Sequence, residues 1–175
     1  MNIKKEIFKH PNNKIILNYI LENIKFTNHG LLSEGVSSYN SLVDYSECNG
    51  LFIPYIDKFI AMSGKGFSVL DFWINIVKPG GYTKTHNHIT LIEELKDVPM
   101  KTGVFYLKKP KNSGNIVIEN NIYKVKENDI IIFEPWMNHS TEQNKSKENR
   151  IIFSINMAKG VDKVFSEGSY KFIKT

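Results

Sequence analysis

Cysteine, arginine and long apolar runs are almost or entirely missing from this chain of 175 residues, and each shortage excludes something. Cys48 is the single cysteine, so no disulfide can form within the chain, and the expected setting is reducing and cytoplasmic. The start, MNIKKEIFKHPNNK, has no apolar stretch of the kind a secretory signal carries. No uninterrupted hydrophobic run approaches the roughly 20 residues of a membrane span, so no membrane partner is expected. Blocks of one charge are also missing. Lysines recur singly or in pairs among acidic residues, without a basic cluster carrying interleaved aromatics, so the formal charge of +5 reads as a solvated surface and nucleic acid is not an expected partner. A homodimer stays open.

What is present describes a globular protein of one expected domain, 41% hydrophobic and 23% charged. Residues 1–65 read as a helical N-terminal buttress. Ile16, Ile20 and Ile24 recur at spacing four, with Leu17 and Leu21 beside them, in a helix expected from about Asn12 to Phe26. Phe52, Ile56, Phe59 and Ile60 share a face of a second helix expected from about Asn49 to Met62, and the segment between the two reads as a polar connection. From residue 66 to about 160 the pattern changes to short runs of β-branched and aromatic residues broken by turns: SVLDFWINIV, TGVFYLK, NIVIE, IYKVK, IIIF and RIIFSINM. Such strands with no helical pattern between them predict an antiparallel sandwich or barrel. The stretch from Ile89 to Met100 reads as an insertion over one end, and 161–175 as a tail whose alternation suggests an edge strand or a segment docked on a neighbour.

Two features bear on chemistry. His86 and His88 lie two apart in KTHNHIT, so on a strand they point to the same side, and His139 in PWMNHST can join them from another strand. Three adjacent imidazoles suit iron, zinc or copper, against the plainer reading of surface or core histidines. His10 and His29 take that plainer reading. The other feature is Arg150, the one arginine among 23 basic residues. Its planar fork can grip a carboxylate through two parallel hydrogen bonds, as an ammonium cannot, and the alternative is an incidental surface arginine. Arg150, Ile152, Ser154 and Asn156 share one strand face, and Asp71, Trp73 and Asn75 share another, so two polar faces can line one pocket beside the histidines. Phe133 and Trp136 read as wall or core residues, and Glu134 as a solvated strand end or a residue lining the mouth of the site.

From Asp71 to Met157, the order of FWINIVKPGGYTKTHNH, TGVFYLKKPKNSGNIVIEN, DIIIFEPWMNHST and RIIFSINM resembles the non-haem Fe(II)- and 2-oxoglutarate-dependent oxygenases, especially their small prolyl-hydroxylase-like bacterial and phage members. The resemblance implies a double-stranded β-helix, a jelly roll of the cupin-like kind, with N-terminal helices packed on the larger sheet. It implies Fe(II) as cofactor, 2-oxoglutarate and O2 as co-substrates, and hydroxylation of a primary substrate coupled to decarboxylation of 2-oxoglutarate to succinate. His86 matches the first iron ligand and His139 the distal one, both catalytic. Arg150 matches the partner of the far carboxylate of 2-oxoglutarate, Tyr106 a hydroxyl that helps hold it, and Asn75 and Ser154 are secondary pocket candidates. His88 stands where the superfamily has Asp or Glu, giving a three-histidine face. Arg-x-Ser reads Arg150-Ile151-Ile152, which leaves Ser154 as the nearest serine.

Two other readings compete. Gly80, His86, His88, Glu93, Pro135 and His139 are similar to the metal motifs of cupins, which act without 2-oxoglutarate, although that pattern gives Arg150 no role. A non-catalytic jelly-roll binding module would need no metal at all. The primary substrate is not named by the sequence.

Overall fold

Residues 3–39, 49–88 and 98–160, as described by a computed structural model, form ten strands and two helices. In chain order these are β1 (Lys4–Ile7), α1 (Asn13–Asn23), β2 (Thr27–Asn28), β3 (Gly35–Ser37), α2 (Asn49–Ser63), β4 (Phe67–Val77), β5 (Met100–Lys108), β6 (Ile116–Ile118), β7 (Asn121–Tyr123), β8 (Asp129–Phe133), β9 (His139–Thr141) and β10 (Arg150–Lys159). One antiparallel sheet runs β1-β8-β5-β10-β4-β3-β2, and a smaller one runs β7-β6-β9. The two sheets make the expected double-stranded β-helix. Backbone hydrogen bonds from His86 to His139 and from Thr141 to Thr83 lay the segment after β4 alongside β9, on the far side from β6.

The central strands of the larger sheet, β4, β5, β8 and β10, are rich in Ile, Val and Phe because both their faces are covered. Ile151, Phe153, Ile155 and Met157 of β10 join Phe72, Ile74 and Ile76 of β4 beneath the helices, packing against Ile16 and Ile20 of α1 and Phe52, Tyr55 and Phe59 of α2. Ile152 faces the other way, into a second core with Val104, Tyr106, Ile118, Ile131 and Phe133 between the sheets. A fully buried side chain of this size contributes about 1.5–3 kcal/mol, so the helical cover is a large share of the fold's stability. Gly103 permits the close docking of α2: a Cβ there would lie 2.6 Å from the Phe59 ring. Between β6 and β7, Glu119 and Asn120 both have positive φ (47° and 63°), giving the two-residue turn whose twist matches a hairpin.

The N-terminal part departs from the expectation of helices alone, since β1, β2 and β3 lie within it. β1, KKEI, is exposed along its length and pairs with the edge of β8; β2 and β3 extend the opposite edge through β4. These strands are too short and polar to show a period, and they exist because a neighbouring strand offers unpaired backbone groups. Both helices form close to their predicted bounds. Residues 89–97, which include Glu93 and most of the insertion, and the tail at 161–175 lie outside the described residues.

Candidate metal and anion site

His86, His88 and His139 come together as the spacing predicts. One ring nitrogen from each lies within 4.8 Å of the others, and the ring centroids are 4.1 Å apart for His86 and His139, 5.4 Å for His86 and His88, and 5.2 Å for His88 and His139. The position of His139 is set by β9 and by the edge of Phe133 at 4.8 Å. His86 is held opposite by its backbone bridge to His139, and Trp73 of β4 lies tilted beside His88 with the ring centres 6.0 Å apart. His86 Nδ1 lies 2.9 Å from the Lys84 carbonyl and His139 Nδ1 lies 3.0 Å from the Met137 carbonyl. A carbonyl only accepts, so each of these Nδ1 atoms carries the proton and each Nε2 keeps a free lone pair, the state a metal ligand requires.

Burial is the main cause holding all three rings below the ordinary imidazole pKa of 6.5. His86 is lowered, while His88 is pushed down to about 4 and His139 to about 3, with the neighbouring imidazoles adding like-charge repulsion. The rings are therefore neutral near pH 7, and the free Nε2 atoms of His86 and His139 are available to a cation. The sign for stability follows directly. Folded pKa values below the unfolded 6.5 mean that the unfolded chain binds more protons, so their stabilisation is complete above pH 6.5 and is lost as pH falls through the window towards 4 and 3. Each such histidine can cost up to about 1.4 kcal/mol per pH unit there. The melting temperature of the metal-free protein should accordingly fall between pH 7 and pH 5, and a flat profile would mean that the rings are solvated rather than buried.

Arg150 is completely buried, which removes the reading of an incidental surface arginine. It opens β10 opposite Val77 of β4. Asn144 fixes this corner from inside, donating to the Val77 carbonyl at 3.1 Å and the Glu148 carbonyl at 2.9 Å. Nη1 of Arg150 donates to the carbonyls of Ser113 and, at 3.4 Å, Glu142; Nη2 donates to Thr141 Oγ1 at 2.7 Å. None of these acceptors is a carboxylate, and among the described residues Arg150 forms no salt bridge. Among the described residues its Nε–H has no partner, nor do the buried hydroxyls of Tyr106 and Ser113. Burial pushes the Tyr106 pKa up, with the Arg150 charge opposing, so the phenol stays neutral and can donate. An unpaired buried guanidinium beside orphaned hydroxyls is costly unless an anion completes it. His139 and Thr141 are alternate residues of β9, so they share a face and place the histidine cluster and the arginine corner roughly 7 Å apart along the strand.

Asn75 and Ser154 are buried on the pocket-facing sides of β4 and β10, with no side-chain hydrogen bond among the described residues. Thr141, Ser113, Asn156, Thr102 and Asp71 are site residues that were not singled out from sequence. Asn156 and Asp71 were legible only as members of polar strand faces, and Ser113 and Thr141 carry no local signal because their partner, Arg150, is distant in the chain. Phe133 is buried as expected, whereas Trp136 is 51% exposed and is not a core residue, because it sits in the turn before β9 rather than on a strand. Glu134 pairs with Lys101.

No protein-family model matches the sequence, and no curated protein matches it. Solved structures do match. HygX from Streptomyces hygroscopicus with nickel and 2-oxoglutarate bound is similar at a TM-score of 0.69 and 8% identity, over 90% of this chain and 83% of that one. The chain has the fold of a 2-oxoglutarate oxygenase. Further similar structures are the viral collagen prolyl hydroxylase of Paramecium bursaria Chlorella virus-1 in its 2-oxoglutarate complex (TM-score 0.59, 15% identity, 91% and 97% coverage) and a prolyl-4-hydroxylase of Pseudomonas putida (0.60, 12%, 90% and 91%). Among the described residues, no helix is long and apolar enough to cross a membrane.

Proposed function

We propose that this protein is a non-haem Fe(II)- and 2-oxoglutarate-dependent oxygenase that hydroxylates a C–H bond of a primary substrate. The observation that carries the reading is Arg150: a fully buried guanidinium with no carboxylate partner among the described residues, on the same strand-side as a cluster of neutral imidazoles. The cluster of His86, His88 and His139 forms the metal centre, with His86 and His139 presenting free Nε2 lone pairs to the ion. Arg150 offers its Nε–H and one remaining Nη2–H to the far carboxylate of 2-oxoglutarate, and the Tyr106 hydroxyl completes that grip. A five-carbon diacid spans roughly 5 Å between its carboxyl carbons, which fits within the roughly 7 Å that alternate residues of β9 impose. Asn75 and Ser154 line the space between. Fe(II), when bound with the oxo acid and O2, supplies oxidative decarboxylation to succinate and CO2 coupled to oxygen insertion into the substrate. The protein's own contribution is to present neutral nitrogen donors, to neutralise the dicarboxylate and to exclude water from both ends.

Tyr106 provides a two-sided check. Removing an unsatisfied buried hydroxyl relieves about 1–3 kcal/mol of desolvation, so Tyr106→Phe should raise the melting temperature of the ligand-free protein. The same change should weaken 2-oxoglutarate binding about tenfold, in line with the loss of one buried hydrogen bond. If the stabilisation conferred by 2-oxoglutarate is the same in both proteins, Tyr106 has no part in the site.

The direct test is anaerobic titration with Fe(II) and then 2-oxoglutarate, following the visible charge-transfer absorption of the chelate and the succinate released on admitting air. Absorption that needs both additions supports the oxygenase. Metal binding without a response to 2-oxoglutarate would favour a cupin-type centre, and no metal binding would leave a binding module.

A further inference from the structure

His88 is held differently from the other two histidines. Its Nδ1 lies 3.2 Å from Asn156 Nδ2, and the orientation of that amide is set by two further neighbours. Thr102 Oγ1 lies 2.8 Å from Asn156 Oδ1, and Asp71 Oδ2 lies 3.3 Å from Asn156 Nδ2. A carboxylate oxygen only accepts, so it selects the amide NH2; the flipped amide would set two acceptor oxygens against each other. Threonine's hydroxyl can donate or accept and so raises no objection to the orientation Asp71 requires. The NH2 group consequently faces His88 Nδ1 as well, and that nitrogen must accept. A neutral imidazole has one proton, which then sits on Nε2, and this atom is buried without a partner among the described residues. His86 and His139 have the opposite arrangement, with protons on Nδ1.

We infer that His88 serves the centre as a hydrogen-bond donor through Nε2–H and not as a third metal ligand, with Asn156 and Asp71 as the positioning residues that fix its tautomer. This rests on the metal-centre reading proposed above. The protein then supplies two ligands, His86 and His139, and the remaining coordination positions fall to the co-substrate and water. The Nε2–H finds its acceptor in an oxygen atom of whatever occupies them. An imidazole at the position of an expected carboxylate is in this way kept from binding metal by a buried carboxylate two hydrogen bonds behind it.

The tautomer is read directly by 15N-edited NMR of the metal-free protein at pH 7, with each ring assigned by single histidine-to-glutamine variants. The expected spectrum has Nε2 protonated in His88 and Nδ1 protonated in His86 and His139; Nδ1 protonated in His88 would overturn the inference. Co(II) titration gives a second readout. His86→Ala and His139→Ala should each weaken Co(II) binding by about 100-fold or more, and His88→Ala by less than about threefold. Equal losses in all three would overturn the donor role while leaving the metal centre standing. Unchanged binding in all three would sink the metal centre itself and this assignment with it. Asn156→Asp places an oxygen against His88 Nδ1 and shares one proton with the neighbouring Asp71 carboxyl, which draws the ring proton to Nδ1 and frees Nε2 to ligate. Co(II) affinity should then rise by about tenfold, and the gain should vanish when His88→Ala is added. Should Asn156→Asp not fold, the NMR experiment decides on the unaltered chain.

Discussion

Arg150→Lys is expected to weaken 2-oxoglutarate binding by about 100-fold while the chain still binds metal. Lysine keeps the charge, so loss of Coulomb attraction is not the cause. A guanidinium holds five donors in one plane, and Arg150 commits three of them to Ser113, Glu142 and Thr141, leaving one N–H on Nε and one on Nη2 for a ligand. An ammonium has three donors on one atom and cannot satisfy those acceptors and a carboxylate together. Charge-assisted hydrogen bonds contribute about 1.5–3 kcal/mol each, and losing one or two with the accompanying misfit corresponds to the stated factor. Some stability should go too, because buried carbonyls at Ser113 and Glu142 lose a donor. Isothermal titration of the Fe(II)- or Ni(II)-loaded variant with 2-oxoglutarate reads the effect. Wild-type affinity in that variant would remove Arg150 from the anion site and with it the main support for the oxygenase reading.

The second large effect is expected at the metal. His139→Ala should reduce metal affinity by about 100-fold or more, since altering only the residues behind a ligand already costs 10–100-fold. The fold should survive. The bonds that join β9 to the segment of His86 run between backbone atoms, so they remain when the imidazole goes, and Ile118 and Phe133 still close the core beneath. Loss of the lowest-pKa histidine should also make the metal-free variant less sensitive to acid between pH 7 and 5 than the parent. Metal content after anaerobic loading, read beside circular dichroism and thermal melting, separates a lost ligand from a lost fold. A folded variant carrying a full equivalent of iron would move the centre elsewhere.

Much of this was legible along the chain. The helices of residues 13–23 and 49–63 were readable because each buries a stripe against the sheet, which repeats its apolar residues at helical spacing. The long strands were readable from their Ile- and Phe-rich runs broken by turns. The strands β1, β2 and β3 were not, since four exposed residues, or two or three polar ones, become a strand only when another edge receives them. The exposed Trp136 misled for a related reason: an aromatic residue announces large apolar area, but its burial depends on what packs over the turn that carries it.

The sequence by itself determined the class of fold and the inventory of the site: three histidines at strand spacing and on a distant strand, one arginine, and polar faces on two strands. Local chemistry and periodicity decide these, and both are written in neighbouring residues. Only the tertiary structure decided the state of each group. Among the described residues the guanidinium is buried without an acid and Tyr106 has no partner; how Arg150 is held depends on Ser113 and Thr141, and the proton position in His88 on Asn156 and Asp71. Those residues lie between nine and 85 positions away in the chain from the groups they act on, and hydrogen bonding reads distance in space, not order along the backbone.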